Sequence, residues 1–169
     1  DSGERKRLVT DREHPSGIRG AWWNAISYVP QAAQSVLNPV YRIEDQFYEL
    51  FRRHRRSEGR KAMYERVNRY LDEVGLPRDV LKSYPHQLSG GMRQRVVIAM
   101  ATFLHPSMIF ADEPTAELDT ATGLQVMKIF KELIEKEEVT IVMTTHDMGL
   151  LDIADCIYHL EDGEIVDEK

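Results

Sequence analysis

MIFADEPTAELDTATGLQVMKIFKELIEKEEVTIVMTTHD, residues Met108–Asp147, carries the pattern that decides the fold. Met108 to Ala111 is a short continuous apolar run broken off by Asp112-Glu113-Pro114, which suits a strand buried on both faces of a parallel sheet. From about Thr120 to Lys136, Leu124, Met127, Phe130, Leu133 and Ile134 recur at helical spacing. That predicts an amphipathic helix with this set inward and Asp119 or Thr120 as its cap. Val139 to Thr145 is a second β-branched strand, read as buried in the same way, and it ends at His146. Strand, helix and strand in this order predict a parallel sheet, in which ligands gather at the carboxyl ends of the strands. Asp112, Glu113 and His146 all fall at such ends.

Upstream, Leu88-Ser89-Gly90-Gly91 opens a helical run to Leu104, with Met92, Val96, Met100 and Phe103 along one stripe and His105-Pro106 as its stop. Between Ile43 and Ser83 two or three short helices fit. There Met63, Val67, Tyr70, Leu71 and Val74 recur at three- and four-residue steps, with Ser57 as N-cap and Gly75 as the residue past the C-terminus. Ala25 to Val29 predicts a short strand stopping at Pro30. The first twenty residues, with Pro15, Gly17 and Gly20, read as loop or frayed edge, and Trp22-Trp23 as packing or edge residues. Downstream, Cys156 to Leu160, the turn Asp162-Gly163, and Glu164 to Val166 form a β-hairpin pattern. The whole is α/β: parallel core strands, an inserted α-helical subdomain and a C-terminal β-hairpin.

A chain of 169 residues that is 42% hydrophobic can form one domain with a real core or part of a larger one. The net charge of -6 argues against nucleic acid as a partner bound by phosphate neutralisation. Arg52-Arg53-His54-Arg55-Arg56 reads as a solvated helix end, its field diluted by Glu44, Asp45 and Glu49. The single cysteine, Cys156, excludes an intramolecular disulfide framework and a Cys-rich zinc site, and its ordinary role is a small buried hydrophobe. No apolar run approaches the roughly 20 residues needed to span a bilayer, and the N-terminus lacks the apolar stretch of a signal peptide, so no direct membrane insertion is expected.

Four features can carry chemistry, and each also has an ordinary structural explanation. Ser89-Gly90-Gly91 is a helix N-cap with flexible glycines. Equally, two residues without Cβ atoms let an anion approach free N–H groups at the positive end of a helix. Asp112-Glu113 can be a solvated turn, or a division of labour in which Asp112 holds Mg²⁺ through its waters while Glu113 polarises an attacking water. His146 is a structural histidine or a hydrogen-bond donor to a terminal phosphate. Gln31, just past the first strand, is a loop residue or a contact to a metal or the nucleophilic water.

Joint occurrence in a fixed order raises the chemical readings. Leu88-Ser89-Gly90-Gly91-Met92-Arg93-Gln94-Arg95 resembles the ABC signature, Met108 to Thr115 the Walker B strand, Ala116-Glu117-Leu118-Asp119 the D-loop, and Thr144-Thr145-His146-Asp147 the switch histidine. Gln31 with Leu37-Asn38-Pro39-Val40, and the Gly-Gly-Met-Arg-Gln-Arg form of the signature, are similar to the ATPases of peptide and nickel importers. The resemblance implies an ATP-binding subunit of the P-loop NTPase fold that uses ATP and Mg²⁺. It implies Glu113, His146 and Gln31 as catalytic, Asp112 and Gln31 at the metal, and Ser89, Gly90, Gly91 and Asp119 as nucleotide contacts. Two such subunits, alike or different, would close head to tail, with the helical subdomain and the Gln31 loop on transmembrane permease subunits at the cytoplasmic face of the membrane.

The sequence departs from that family in three places. None of its ten glycines fits Gly-x-x-x-x-Gly-Lys-Ser/Thr, the P-loop whose backbone cradles phosphates. The chain is therefore expected to begin after the P-loop helix, to leave a sheet edge unpaired and apolar surface uncovered, and to be inactive alone. The family's Asp-Pro after the loop glutamine is Ala32-Ala33, and Glu117 stands where small residues are usual. The expected division is 1–30, the remnant of an N-terminal core and antiparallel region; 31–106, the glutamine loop and signature subdomain; and 107–169, the second half of the ATPase core. The alternatives are a non-catalytic module binding a permease or partner ATPase, and a soluble ABC ATPase unconnected with transport.

Overall fold

The computed structural model describes residues 25–55 and 58–168. The expected Ser57 cap, the loop reading of the first twenty residues and the roles considered for Trp22-Trp23 lie outside the described residues. Three parallel strands, β1 (Ile26–Val29), β2 (Met108–Asp112) and β3 (Thr140–Thr144), pair in that order. Tyr28 is level with Phe110 and Phe110 with Val142, while Asp112 is level with Thr144. Because all three run the same way, their carboxyl ends share one edge.

Helices fill the interval between β1 and β2: α1 (Ala33–Val36), α2 (Ile43–His54), α3 (Arg60–Glu73) and α4 (Gly90–Thr102), with 3₁₀ turns at 78–82 and 85–87. In α2 the four-residue spacing of Ile43, Phe47 and Phe51 puts all three in the core. Its first turn carries Glu44 and Asp45 and its last turn Arg52, Arg53 and His54, complementing the helix dipole at both ends. The described part of the basic run, Arg52 to Arg55, is thus a helix end. In α3, Met63, Val67, Tyr70 and Leu71 face inward. The helix stops where Gly75 takes φ +64°, with Leu76 N–H donating to Leu71 C=O at 2.8 Å and Gly75 N–H to Asp72 C=O at 3.2 Å. This is the paired closure that a residue without Cβ permits. Gly59 stands at the N-cap position of α3.

α4 is buried nearly all round, with Gln94, Val96, Val97, Ile98, Ala99, Ala101 and Thr102 all inside. The single stripe expected from the sequence is too narrow, because α1, α3, β1 and α5 (Thr120–Glu137) all pack against this helix. Phe103 meets Phe47 edge-on at 5.5 Å and Phe51 at 5.8 Å, tying the end of α4 to α2. Next to it, Tyr70 Oη lies 3.0 Å from His105 Nδ1, which lies 2.9 Å from Glu137 Oε2, and Arg69 also pairs with Glu137. Burial pushes the Tyr70 hydroxyl up to about 12, so it remains a donor at any ordinary pH. These contacts fasten α3 to the end of α5.

Several expectations need correction. β2 and β3 are not buried on both faces. Ser27, Val29, Ile109 and Ala111 are buried against the helices, whereas across the other face Tyr28 is 41%, Phe110 38% and Val142 44% exposed. Among the described residues the helices cover only one side. On α5, Met127, Phe130 and Leu133 point inward, but Leu124 and Ile134 are exposed. The buried stripe instead runs through Gly123, Val126 and Ile129, since the sheet reaches only part of a wide apolar face. Cys156 is exposed, in the surface connection before the hairpin, instead of buried. That hairpin, β4 (Tyr158–Glu161) and β5 (Glu164–Glu168), turns through Asp162 and Gly163 at φ +49° and +83°, with an irregular register at His159/Leu160. No helix among the described residues is long and apolar enough to cross a membrane.

Candidate functional site

The tips of β2 and β3 meet because Asp112 and Thr144 are register partners in a parallel ladder. Thr144 Oγ1 donates to Asp112 Oδ1 at 2.7 Å, and Tyr28 Oη donates to Asp112 Oδ2 at 3.0 Å. The next residue, Glu113, leaves the strand at φ +42°. For a residue with a side chain this left-handed conformation costs on the order of 1–3 kcal/mol, so its surroundings must hold it there. Its N–H is shared between Thr144 C=O and Thr144 Oγ1, each at 3.1 Å. That turn delivers the carboxylate to the end of β3, where Glu113 Oε1 lies 2.8 Å from His146 Nδ1.

The contact changes the imidazole. The hydrogen bond to Glu113, then the charges of Glu113 and Asp147, hold the His146 pKa above the ordinary histidine value against slight desolvation. A raised histidine pKa means that the pair's contribution to folding is complete below the ordinary value and is lost as pH rises through the raised one. Titration of the His146 ring protons by NMR is expected to give a midpoint above 6.5 that moves down toward it in Glu113→Gln. An unchanged midpoint in that variant would show that the contact is not populated in solution.

A second group assembles at the starts of α4 and α5. Ser89 caps α4, its Oγ accepting from Met92 N–H at 3.3 Å. Asp119 caps α5 with both oxygens: Oδ1 accepts from Thr122 N–H at 3.0 Å and Oδ2 from Thr122 Oγ1 at 2.7 Å, and these bonds lower its pKa. A Cβ on Gly91 would come within 2.4 Å of the Thr122 methyl carbon, whereas one on Gly90 would meet nothing within 4 Å. Gly91 thus lets the two helix starts approach closely, while the Gly90 side faces open space.

The strand edge brings Asp112, Glu113 and His146 into one cluster. Ser89, Gly91 and Asp119 form the other, joined through Thr122. Gln31 is exposed two residues beyond β1, on the edge that carries the acidic tip; among the described residues no hydrogen bond links it to that tip. Thr144 and Tyr28 are the residues whose parts sequence reasoning missed. Their signal was available in the two-residue alternation, which sets Tyr28, Phe110, Asp112, Val142 and Thr144 on one face. Missing was the register between strands far apart in sequence.

Among the described residues no group of three or more His, Cys, Asp or Glu could hold a metal ion by itself. The oxygen donors at the tip suit a hard cation that keeps most of its ligands as water and phosphate oxygens. Mg²⁺ binds in this way, through one or two carboxylates. A concavity lined by Tyr70, Thr102, His105, Glu137 and Val139 borders the amino ends of β2 and β3, away from these carboxylates.

Comparison with known proteins matches residues 5–116 to the ABC transporter family. The dipeptide transport ATP-binding protein DppD of Bacillus subtilis (strain 168) is 40% identical over 162 residues, which are 94% of this chain and 47% of that protein. The glutathione import ATP-binding protein GsiA of Escherichia coli (strain K12) is 39% identical over 153 residues, 89% of this chain and 24% of that protein. The chain therefore spans about half the length of the first relative and about a quarter of the second. Among solved structures, the dimeric post-hydrolysis state of the ATP-binding cassette MJ0796 bound to ADP and Pi superposes with TM-score 0.77 at 31% identity, over 94% of this chain and 67% of that one. CbiO1 from Clostridium perfringens, part of the ABC transporter complex cbiONQ, shares the fold with TM-score 0.80 at 23% identity, over 95% and 61%. With its acidic strand tips, its capped helix α4 and these likenesses agreeing, the chain belongs to the ABC transporter family and is similar to parts of ATP-binding proteins of dipeptide and glutathione import.

Proposed function

We propose that this chain forms the signature, Walker B and switch-histidine portion of an ATPase that energises import of peptides or similar solutes. The observation that carries the reading is the 2.8 Å contact between Glu113 and His146 beside Asp112, at the carboxyl edge of a parallel sheet. In this reading Asp112 holds Mg²⁺ through its waters, and Gln31 approaches from the neighbouring loop. The ion, when bound, neutralises charge on the terminal phosphates. Glu113 orients and polarises the attacking water. His146 uses Nδ1 toward Glu113, which leaves Nε2 for a γ-phosphate oxygen. Both nitrogens donate at once only in the imidazolium, the form that the raised pKa favours. Catalysis is positioning and charge stabilisation, with no covalent intermediate.

Ser89, Gly90 and Gly91, with Asp119 behind them, face the nucleotide of a second subunit, alike or different, across a head-to-tail seam. The helices of 31–106 and the Gln31 loop engage a permease at the cytoplasmic membrane face, and 107–169 completes the ATPase core, with residues 1–30 belonging to its N-terminal part. Two features support this reading: the likeness to a dipeptide transport ATP-binding protein and a solved cassette that is dimeric and holds ADP and Pi.

A non-catalytic binding module is the second reading, favoured by the absence of Gly-x-x-x-x-Gly-Lys-Ser/Thr from these 169 residues. One experiment separates them. The full-length gene product, with its permease in vesicles, is expected to release phosphate from MgATP and to accumulate labelled dipeptide, while the 169-residue chain alone releases phosphate only at background. No phosphate release from the full-length protein favours the binding module. Turnover by the 169-residue chain alone, abolished by Glu113→Gln, overturns its expected inactivity.

A further inference from the structure

At the acidic tip, two side chains neither touch a reacting group nor belong to the core. Thr144 and Tyr28 come from different strands and reach one carboxylate from two sides. Thr144 Oγ1 donates to Asp112 Oδ1 at 2.7 Å and Tyr28 Oη to Asp112 Oδ2 at 3.0 Å. The same Thr144 oxygen accepts from Glu113 N–H at 3.1 Å, while Thr144 C=O takes a share of that N–H. One hydroxyl therefore fixes the plane of the first acid and the left-handed backbone of the second.

We infer that Thr144 and Tyr28 are positioning residues for metal binding: a two-hydroxyl clamp that sets the Asp112 carboxylate for a hydrated divalent cation and couples it to the Glu113 turn. The inference rests on the reading of Asp112 as the metal-holding residue. A carboxylate oxygen has about two acceptor directions. With one on each oxygen taken by the clamp, the others are held in a fixed orientation for the waters of the ion. An unclamped carboxylate at the edge of a sheet would rotate about its side-chain bonds, and ordering it would oppose binding. Removing a partner that orients a metal-holding group in this way typically weakens metal binding by about 10–100-fold. The alternation of strand side chains explains why these two residues supply the clamp. Thr144 is level with Asp112 across one ladder, and Tyr28, level with Phe110, reaches diagonally along the same face with a long side chain.

The test is Mn²⁺ binding to the full-length gene product with a non-hydrolysable ATP analogue, read from the signal of free ion in electron paramagnetic resonance. Thr144→Val, which keeps shape and removes the hydroxyl, is expected to weaken Mn²⁺ binding about 10-fold. Thr144→Ser should restore it, and Tyr28→Phe should weaken it about threefold. A thermal melt of each variant identifies any loss of folding; if the valine variant does not fold, Tyr28→Phe and the wild-type-like serine variant decide the matter. Wild-type affinity in both Thr144→Val and Tyr28→Phe, with binding lost in Asp112→Asn, overturns the clamp and leaves the metal assignment standing. Wild-type affinity in Asp112→Asn as well overturns the assignment and the clamp together.

Discussion

Glu113→Gln in the full-length gene product is expected to lower ATP turnover by about 10²–10⁴-fold, the range by which a positioned acid–base group contributes, with nucleotide binding retained. The substitution separates chemistry from geometry. Glutamine has the same length and shape, and its amide oxygen can still accept from His146 Nδ1, now 2.8 Å from the native carboxylate. The backbone bonds from Glu113 N–H to Thr144 do not involve the side chain and survive. What disappears is the basic oxygen that takes up the developing positive charge of an attacking water. Single-turnover phosphate release measures the chemical step and filter retention of labelled ATP measures binding. Turnover within about threefold of wild type would remove Glu113 from the chemistry, since an effect that small is below what general base catalysis supplies. Equal loss of binding and turnover would instead indicate that the side chain holds the tip in shape.

The order of elements was legible because each has its own local cause. The Asp112-Glu113-Pro114 break, the Asp119 cap and the Gly75 stop act within a few residues of the feature that they end. The terminal turn is equally local, with Asp162 and Gly163 both in the left-handed region. What escaped depends on neighbours distant in sequence. The periodicity of α4 marks one stripe, yet the helix is enclosed by elements drawn from both sides of it. A run such as Met108 to Ala111 has the same composition whether one or two faces are covered, so Phe110 could not be recognised as the exposed member. At the site, the chemical types of Asp112, Glu113 and His146 and their order pointed to the strand tips. The hydroxyls of Thr144 and Tyr28 did not stand out, because threonine and tyrosine are common in strands and only inter-strand register gives them a target.

Phe103→Ala is expected to destabilise the fold by about 3–5 kcal/mol, the usual cost of removing a buried aromatic ring and leaving its cavity. The ring is fully buried and holds two partners, Phe47 edge-on and Phe51 tilted, both on the inward stripe of α2. Each aromatic pair adds about 0.5–1.5 kcal/mol beyond area burial. The position of the residue matters as much as its size. Phe103 is the C-cap residue of α4, whose other end is fixed independently by the Ser89 cap and the Gly91–Thr122 approach. Loss of the ring should therefore free α2 from α4 before it disturbs the Ser89–Gly91 turn. Urea unfolding followed by far-ultraviolet circular dichroism measures the stability loss, and amide hydrogen exchange locates it, with protection falling first in residues 43–54. A loss below about 1 kcal/mol would mean that the neighbouring rings collapse into the space. Exchange rising first in residues 89–92 would mean that the Ser89–Gly91 turn depends on the far end of its helix, and that the two ends of α4 are not anchored separately.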